Sequence, residues 1–255
     1  MERYQVILAY DGTQFLGFQR QGKGRTVQGV VETALRQLGW QERTILAAGR
    51  TDSGVHASGQ VITFDLEWDH PLEALQRALN ALLPPDVSVC EAHPTRADFH
   101  PCYDAVSRRY RYRLYCQPVR DPLKERYAWR VWPAPHIDLL RQAASHLLGT
   151  HDFAAFGTPP RTRGTTVRTV FQAHWQEDGT ELIFVITANA FLYHMVRRLV
   201  HLLVAVGQGR LGLEVIPHSL QPQDKVSLVK GLAPAQGLML IEVCYPEDGQ
   251  KRVRI

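Results

Sequence analysis

The sequence predicts an α+β fold, and three observations carry that expectation. Short β-rich apolar blocks alternate with helical stripes, the stripes end on strong stop signals, and over residues 1–103 the elements run β-α-β-β-α-β. Tyr4 to Ala9 is apolar and is closed by the turn-prone Asp11-Gly12. Val27, Val30, Val31, Ala34, Leu35 and Leu38 recur at helical spacing up to Gly39. Ile45 to Ala48 and Val61 to Phe64 read as short strands on either side of a polar, glycine-bounded loop. Leu72, Leu75, Ala78, Leu79 and Leu82 form a second helical stripe, ended by Pro84-Pro85, and Val87 to Ala92 is a fourth strand. This order matches a ferredoxin-like sandwich, in which two helices cover one face of an antiparallel sheet.

Beyond Pro101 the pattern begins again, less regularly. Val106 to Cys116 reads as a strand with one charged face, and Ala128 to Trp132 as a shorter one. Leu139, Leu140, Ala143, Ala144, Leu147 and Leu148 make a helix. Thr166 to Trp175 and Glu181 to Ala188 form a hairpin turning at Asp178-Gly179. Leu192, Met195, Val196, Leu199, Val200 and Leu203 mark a further helix, and Leu238 to Tyr245 the last strand. Two α+β halves of related design are expected, residues 1–103 and residues 104–255, with a cleft between them.

Composition narrows the class. The chain has 255 residues, 45% hydrophobic and 21% charged, which suits a globular protein and argues against disorder or a coiled coil. The longest apolar stretch, Ala190 to Val206, is interrupted by His194, Arg197, Arg198 and His201, a poor match to the ~20 nearly uncharged residues of a membrane span. The amino terminus shows no basic region, long apolar core or cleavage site, so a cytoplasmic protein is expected. Cys90, Cys102, Cys116 and Cys244 include no C-x-x-C pair and are expected as reduced, mostly buried thiols. No Cys/His zinc spacing or H-E-x-x-H occurs, so no metal or organic cofactor is implied. The net charge of +4 is uneven: residues 1–103 carry 9 Lys and Arg against 12 Asp and Glu, residues 104–255 carry 20 against 13. Of the 29 basic residues 24 are Arg, whose planar fork suits phosphate, although codon bias yields the same excess.

Three segments carry candidate chemistry. Gly49-Arg50-Thr51-Asp52-Ser53-Gly54-Val55-His56 places a cation and a carboxylate two positions apart between glycines. Asp52 can serve as a nucleophile or electrostatic stabiliser; equally it can cap its own loop as an Asx-turn with Arg50 as its partner. Ser53 and His56 invite a hydrolase reading, but no G-x-S-x-G elbow is present and triad members normally come from distant positions. Gly17 to Gly24 nearly fits a phosphate-binding loop, yet Gly24 replaces the metal-binding hydroxyl; Lys23 and Arg25 there suit an RNA backbone, or a solvated loop. Ser107 to Tyr115 interleaves cations with aromatics: on a strand Tyr110 and Tyr112 face one side, Arg109, Arg111 and Arg113 the other. Tyrosine stacks on exposed bases and arginine neutralises phosphate; an edge strand kept soluble by charge is the competing reading.

Taken together and in order, these residues resemble the tRNA pseudouridine synthase A family. The resemblance covers most of the chain: Tyr10-Asp11-Gly12-Thr13, Phe15-x-Gly17-Phe18-Gln19, Thr26-Val27-Gln28-Gly29, the Gly49 to Ala57 segment, Arg108-Arg109-Tyr110-Arg111-Tyr112, His151-Asp152-Phe153, Asn189 to Arg197 and Gly237-Leu238. Two departures are visible, Tyr193 where a histidine is frequent and His201 where a glycine is common. The resemblance implies isomerisation of uridine at positions 38 to 40 of the tRNA anticodon arm, and a homodimer. It implies two ferredoxin-like (RRM-like) halves whose antiparallel sheets join into one extended sheet, helices on one face and the active site in the cleft. It assigns Asp52 as the catalytic aspartate, Tyr110 against the uracil, Arg197 as a cation pairing with Asp52, Leu238 as an apolar wall and Arg50 to base extrusion. A non-catalytic RNA-binding or tRNA-folding protein is the alternative; it leaves Asp52 beside Arg50 without a reason.

Overall fold

The computed structural model describes residues 1–159, 164–221 and 229–246. The chain divides into two units, Met1–Val106 with the chain from Met239 onward, and Ser107–Leu238. In the first unit β1 (Glu2–Tyr10), α1 (Val27–Gln37), β2 (Leu46–Ala47), β3 (His56–Leu66), α2 (Leu72–Leu82) and β4 (Val87–Pro94) follow one another. β1 is the inner strand of an antiparallel trio, with Val6 opposite Ile62 on β3 and Ala92 on β4. Tyr4 to Leu8 are all buried, so the strand does not alternate: both of its faces are covered there. β2 holds only two residues against β3, shorter than the apolar run predicts.

Helix limits follow local chemistry. Thr26 caps α1 by accepting the Gly29 N–H at 3.3 Å, and Gly39 beyond its end adopts φ +91°. α2 stops where Leu83, ahead of Pro84, turns extended. Leu75 and Leu79 of α2 are fully buried, each worth roughly 1.5–3 kcal/mol relative to exposure.

The second unit contains β5 (Ser107–Tyr115), α3 (Pro122–Glu125), β6 (Trp129–Arg130), α4 (Ile137–Ser145), β7 (Gly149–Asp152), β8 (Val167–Asp178), β9 (Glu181–Ala188), α5 (Met195–Gly207) and α6 (Val215–Ser219). Its sheet runs β5-β9-β8-β7, antiparallel throughout, with β6 added in parallel to β5. The β8–β9 hairpin turns where predicted, with Gly179 at φ +58°. α5 begins at Met195, not Leu192, because His194 ahead of it takes a left-handed backbone. His201, in the position noted as unusual, lies parallel to the Trp129 ring at 6.2 Å, and a Cβ on Gly231 would fall inside its imidazole. The neighbouring glycine thus makes room for the ring.

Two expectations need correction. Sequence order places the last strand, β10 (Leu238–Cys244), in the second half; from Met239 it belongs to the first unit and pairs in parallel with β3, Met239 opposite His56 and Leu240 opposite Ala57. A hydrophobic pattern marks a strand but not its partner. The cysteines are thiols, but Cys90, at an outward-facing position of β4, is exposed and the other three are half-buried. Among the described residues no helix is long and apolar enough to cross a membrane.

Two bidentate pairs tie the first unit together. Arg3 faces Asp65 across β1 and β3 at 2.6 and 2.7 Å, and Arg25 grips Asp86 at 2.6 and 2.7 Å. The hydrogen bonds from Arg3 and Arg25 hold both carboxyls below the usual carboxylate range. A depressed folded-state pKa adds stability that is complete above the unfolded value of about 3.9 and is lost as pH falls through the folded value. Urea midpoints of the wild type should therefore drop steeply below about pH 4, and the Asp65→Asn/Asp86→Asn double variant should show a shallower drop. Parallel pH profiles for the two proteins would contradict this.

Candidate active site

Asp52 stands, half-buried, on the turn between β2 and β3. The turn closes when the Val55 N–H donates to the Asp52 carbonyl at 3.2 Å, with Gly54 at φ +78°. Its backbone is fixed by a second segment, residues 12–18. The Phe18 N–H donates to the Thr51 carbonyl at 3.0 Å, and the Phe15 carbonyl accepts both the Gly54 N–H at 3.4 Å and the Ser53 hydroxyl at 3.1 Å. A Cβ on Gly12 would overlap the Val55 carbonyl, and one on Gly17, at φ +97°, would lie 2.8 Å from the Thr51 carbonyl oxygen. Here glycine is required by backbone contact.

Support continues beneath. The Gln60 amide donates to the Gly49 carbonyl at 3.0 Å, and the Tyr10 and Thr51 hydroxyls share a buried hydrogen bond of 2.8 Å. Burial pushes the Tyr10 phenol up to about 12, so it stays protonated. Nothing in the sequence pattern marks Tyr10 or Gln60 for a supporting role; both lie in strands and look like ordinary sheet residues. β10 braces the far end, where a Cβ on Gly59 would overlap the Ile241 carbonyl.

The hydrolase constellation is absent. Ser53 donates to a backbone carbonyl and His56, 2% exposed, accepts the Gly12 N–H on Nδ1 at 3.0 Å. Both side chains serve the loop's architecture. Nor does Arg50 act as a structural partner of Asp52: it is exposed, and among the described residues no ion pair joins the two. Lys23 is exposed in the neighbouring loop. Arg25, expected on an RNA backbone, instead commits both forks of its guanidinium to Asp86 and lies 4.1 Å over the Phe15 ring. A fork filled by a carboxylate has little to offer phosphate, and sequence spacing gives no sign of a partner so far along the chain.

In the second unit β5 separates its residues as alternation predicts. Tyr112 is fully buried; its hydroxyl donates to the Pro234 carbonyl at 2.7 Å, and burial raises its pKa well above the usual phenol range. Tyr110 is half-buried, with its ring edge-on to Phe191 at 4.9 Å and 83°. On the opposite face Arg113 pairs with Glu181 at 2.8 and 2.9 Å, Arg109 donates to the Thr187 hydroxyl at 3.3 Å, and Arg111 stands half-buried between them. Burial, then repulsion from Arg113, lowers the Arg111 pKa. Arg197, in the first turn of α5, donates from Nε to the Ala233 carbonyl at 2.8 Å and accepts that residue's N–H at 3.1 Å on its own carbonyl. Leu238 is 6% exposed, and Gly237 before it lies so close to Tyr112 that a Cβ would meet the ring at 2.6 Å. Arg108 is also buried and donates to the Asn189 carbonyl at 2.8 Å, an anchor the charge pattern conceals. The structure thus gathers Asp52, Arg50 and Lys23 on one unit, and Tyr110, Phe191 and Arg197 on the other.

A family described as tRNA pseudouridine synthase matches residues 6–104 and 143–246. A tRNA pseudouridine synthase A of Geotalea daltonii is 39% identical over 246 residues, covering 96% of this chain and 100% of the relative. A protein of the same name from Lacticaseibacillus casei is 40% identical over 252 residues, covering 96% and 100%. A third, from Paraburkholderia xenovorans, is 39% identical and covers 97% and 92%.

The backbone contact at Gly12 sets a stability test. Gly12→Ala should destabilise by about 1–3 kcal/mol in urea unfolding, as overpacking does, while Gly22→Ala, with open space around it, stays within about 0.5 kcal/mol of wild type. Equal midpoints for the two variants would show that the loop yields freely.

Proposed function

The chain belongs to the tRNA pseudouridine synthase family, and we propose that it converts uridine to pseudouridine at positions 38, 39 or 40 of the anticodon arm, with Asp52 acting on the sugar of the extruded nucleotide. As a pseudouridine synthase it is an isomerase. The reaction breaks the N1–C1′ bond, turns the uracil, joins C5 to C1′ and moves the C5 proton to N1. Electrons and atoms balance within the nucleotide, so no redox partner or energy source is consumed. The protein's tasks are to extrude the base, to stabilise developing positive charge at the sugar and to retain the detached uracil.

The observation that carries this reading is a half-exposed carboxylate on a turn whose backbone is pinned from residues 12–18. A carboxylate so held meets the sugar without reorganising, which is where electrostatic catalysis gains most. Two routes use it. In one, Asp52 adds to C1′ as uracil leaves with the N1–C1′ electron pair, and C5 later displaces the carboxylate. In the other, Asp52 takes the C2′ proton as uracil leaves with the N1–C1′ electron pair, forming a C1′–C2′ double bond; C5 then adds to C1′ and the proton returns to C2′. The carboxylates of glycosidases offer the chemical parallel for the first.

The remaining residues are assigned by their chemistry. Extrusion from a stem costs a few kcal/mol, offset by stacking on Tyr110 and by phosphate contacts. The edge-on contact with Phe191 supports a fixed ring orientation for Tyr110. Arg50, exposed beside Asp52, suits the space a departing base leaves. The family resemblance, rather than a measured contact, gives Arg197 as the cation for the Asp52 carboxylate and Leu238 as an apolar wall against uracil. Lys23, Arg109 and Arg111 are assigned to phosphates, and Arg25 to positioning its loop through Asp86. A homodimer acting in the cytoplasm on tRNA, without a cofactor, completes the proposal.

Asp52→Asn keeps the shape and removes the charge. It should bind an unmodified tRNA transcript with wild-type affinity and form no pseudouridine; product at the normal rate would remove Asp52 from the mechanism. Tyr110→Phe keeps the ring. Measured by single-turnover kinetics, it should retain far more activity than Tyr110→Ala, and equal losses would assign the role to the hydroxyl.

A further inference from the structure

Among the described residues His194 alone departs from the rule that left-handed backbone belongs to glycine, with φ +66°. Histidine tolerates this conformation better than most residues, but it persists only where surroundings impose it, and such positions gather at functional sites. The surroundings are visible. The Tyr193 N–H donates to the Thr158 carbonyl at 3.0 Å, and these two residues form an isolated antiparallel bridge. A Cβ on Gly157 would overlap the Tyr193 carbonyl, so the two segments meet backbone to backbone. Beyond, the His194 carbonyl accepts the Arg198 N–H at 3.1 Å as α5 begins.

The result of this restraint faces solvent. Tyr193 is 56% exposed, with its ring stacked on the His194 imidazole at 3.7 Å and 26°. Leu192 is buried, whereas Phe191 and Tyr193, on either side of it, are not. Phe191 is the ring that stands against Tyr110. An exposed tyrosine stacked on a half-buried histidine adds little to a core, yet here backbone contacts on both sides hold it in place, two residues from the support of the proposed uracil-binding ring.

We propose that the Tyr193–His194 stack is a platform for the base that adjoins the target uridine in the RNA strand. The inference rests on the reading that this chain modifies uridine in tRNA, and makes Tyr193 a positioning residue for it. Every base offers a π-face, so an aromatic platform holds a neighbour of any identity. Extruding one nucleotide unstacks the next, and a waiting ring restores part of what is lost.

Transcripts carrying an abasic site on either side of the target uridine test this with wild type, Tyr193→Phe and Tyr193→Ala. Tyr193→Ala should weaken tRNA binding by about five- to a hundredfold, the range alanine substitution gives for a stacked base, while Tyr193→Phe binds as wild type. At saturating tRNA the single-turnover rate of Tyr193→Ala should stay near that of the wild type, separating positioning from chemistry. An abasic neighbour on one side should weaken wild type by a similar factor and cost Tyr193→Ala little more. Unchanged binding by Tyr193→Ala, or losses from substitution and abasic site that multiply on both sides, would overturn the platform. If the wild type formed no pseudouridine in any tRNA the proposed function would fall, and the binding comparison would still decide whether Tyr193 stacks on a base.

Discussion

Backbone packed directly on backbone, with no side chain between, is the constraint on which the candidate site depends. Residues 12–18 approach the turn at 51–55 so closely that Gly12 and Gly17 admit no Cβ, and main-chain hydrogen bonds join the two segments at Phe18–Thr51 and Phe15–Gly54. Asp52 therefore sits on a turn whose backbone is hydrogen-bonded to a second segment. Its neighbours Thr51, Ser53 and His56, all capable of chemistry, are turned to structural use by the Tyr10 hydroxyl, the Phe15 carbonyl and the Gly12 N–H. Within the loop Asp52 is half-buried and Arg50 exposed.

The second unit uses side-chain packing for a comparable end. On β5 the burial of Tyr112 against Gly237 and Pro234 fixes the strand, and Tyr110, two residues earlier on the same face, inherits its direction while remaining half-exposed. The same alternation sends Arg109, Arg111 and Arg113 to the other face, where Glu181 neutralises Arg113. The charged face of this strand is thus divided by its partners. Arg25 and Arg108 repeat the lesson, since one is committed to Asp86 and the other to a carbonyl at Asn189. Charge counts overstate the positive surface available to phosphate.

Much of the α+β pattern was legible because local signals and tertiary packing agree. The 3.6-residue stripes of α1 and α2 end at Gly39 and ahead of Pro84, and Asp178-Gly179 turns the β8–β9 hairpin. What escaped depended on partners far along the chain. β7 is four residues at the rim of its sheet, too short and polar to register a period. The placement of β10 beside β3, the bidentate hold of Asp86 on Arg25 and the left-handed start of α5 each arise from contacts that spacing does not encode. In the candidate site the loop of Asp52 and the strand of Tyr110 were legible as unusual residue combinations. The supports of Tyr10, Gln60 and Phe191 were not, because a buried polar residue or an extra aromatic in a strand or loop is common in any fold.

We propose that Asp52, on its hydrogen-bonded turn, acts on a uridine turned out of the anticodon arm. Nucleotide-resolution mapping of pseudouridine in an unmodified tRNA transcript, after incubation with the purified protein alone and no added cofactor, tests it most directly. New pseudouridine is expected at positions 38 to 40 and nowhere else in the transcript. A transcript that is bound but left unmodified, or modified only outside that arm, would contradict it.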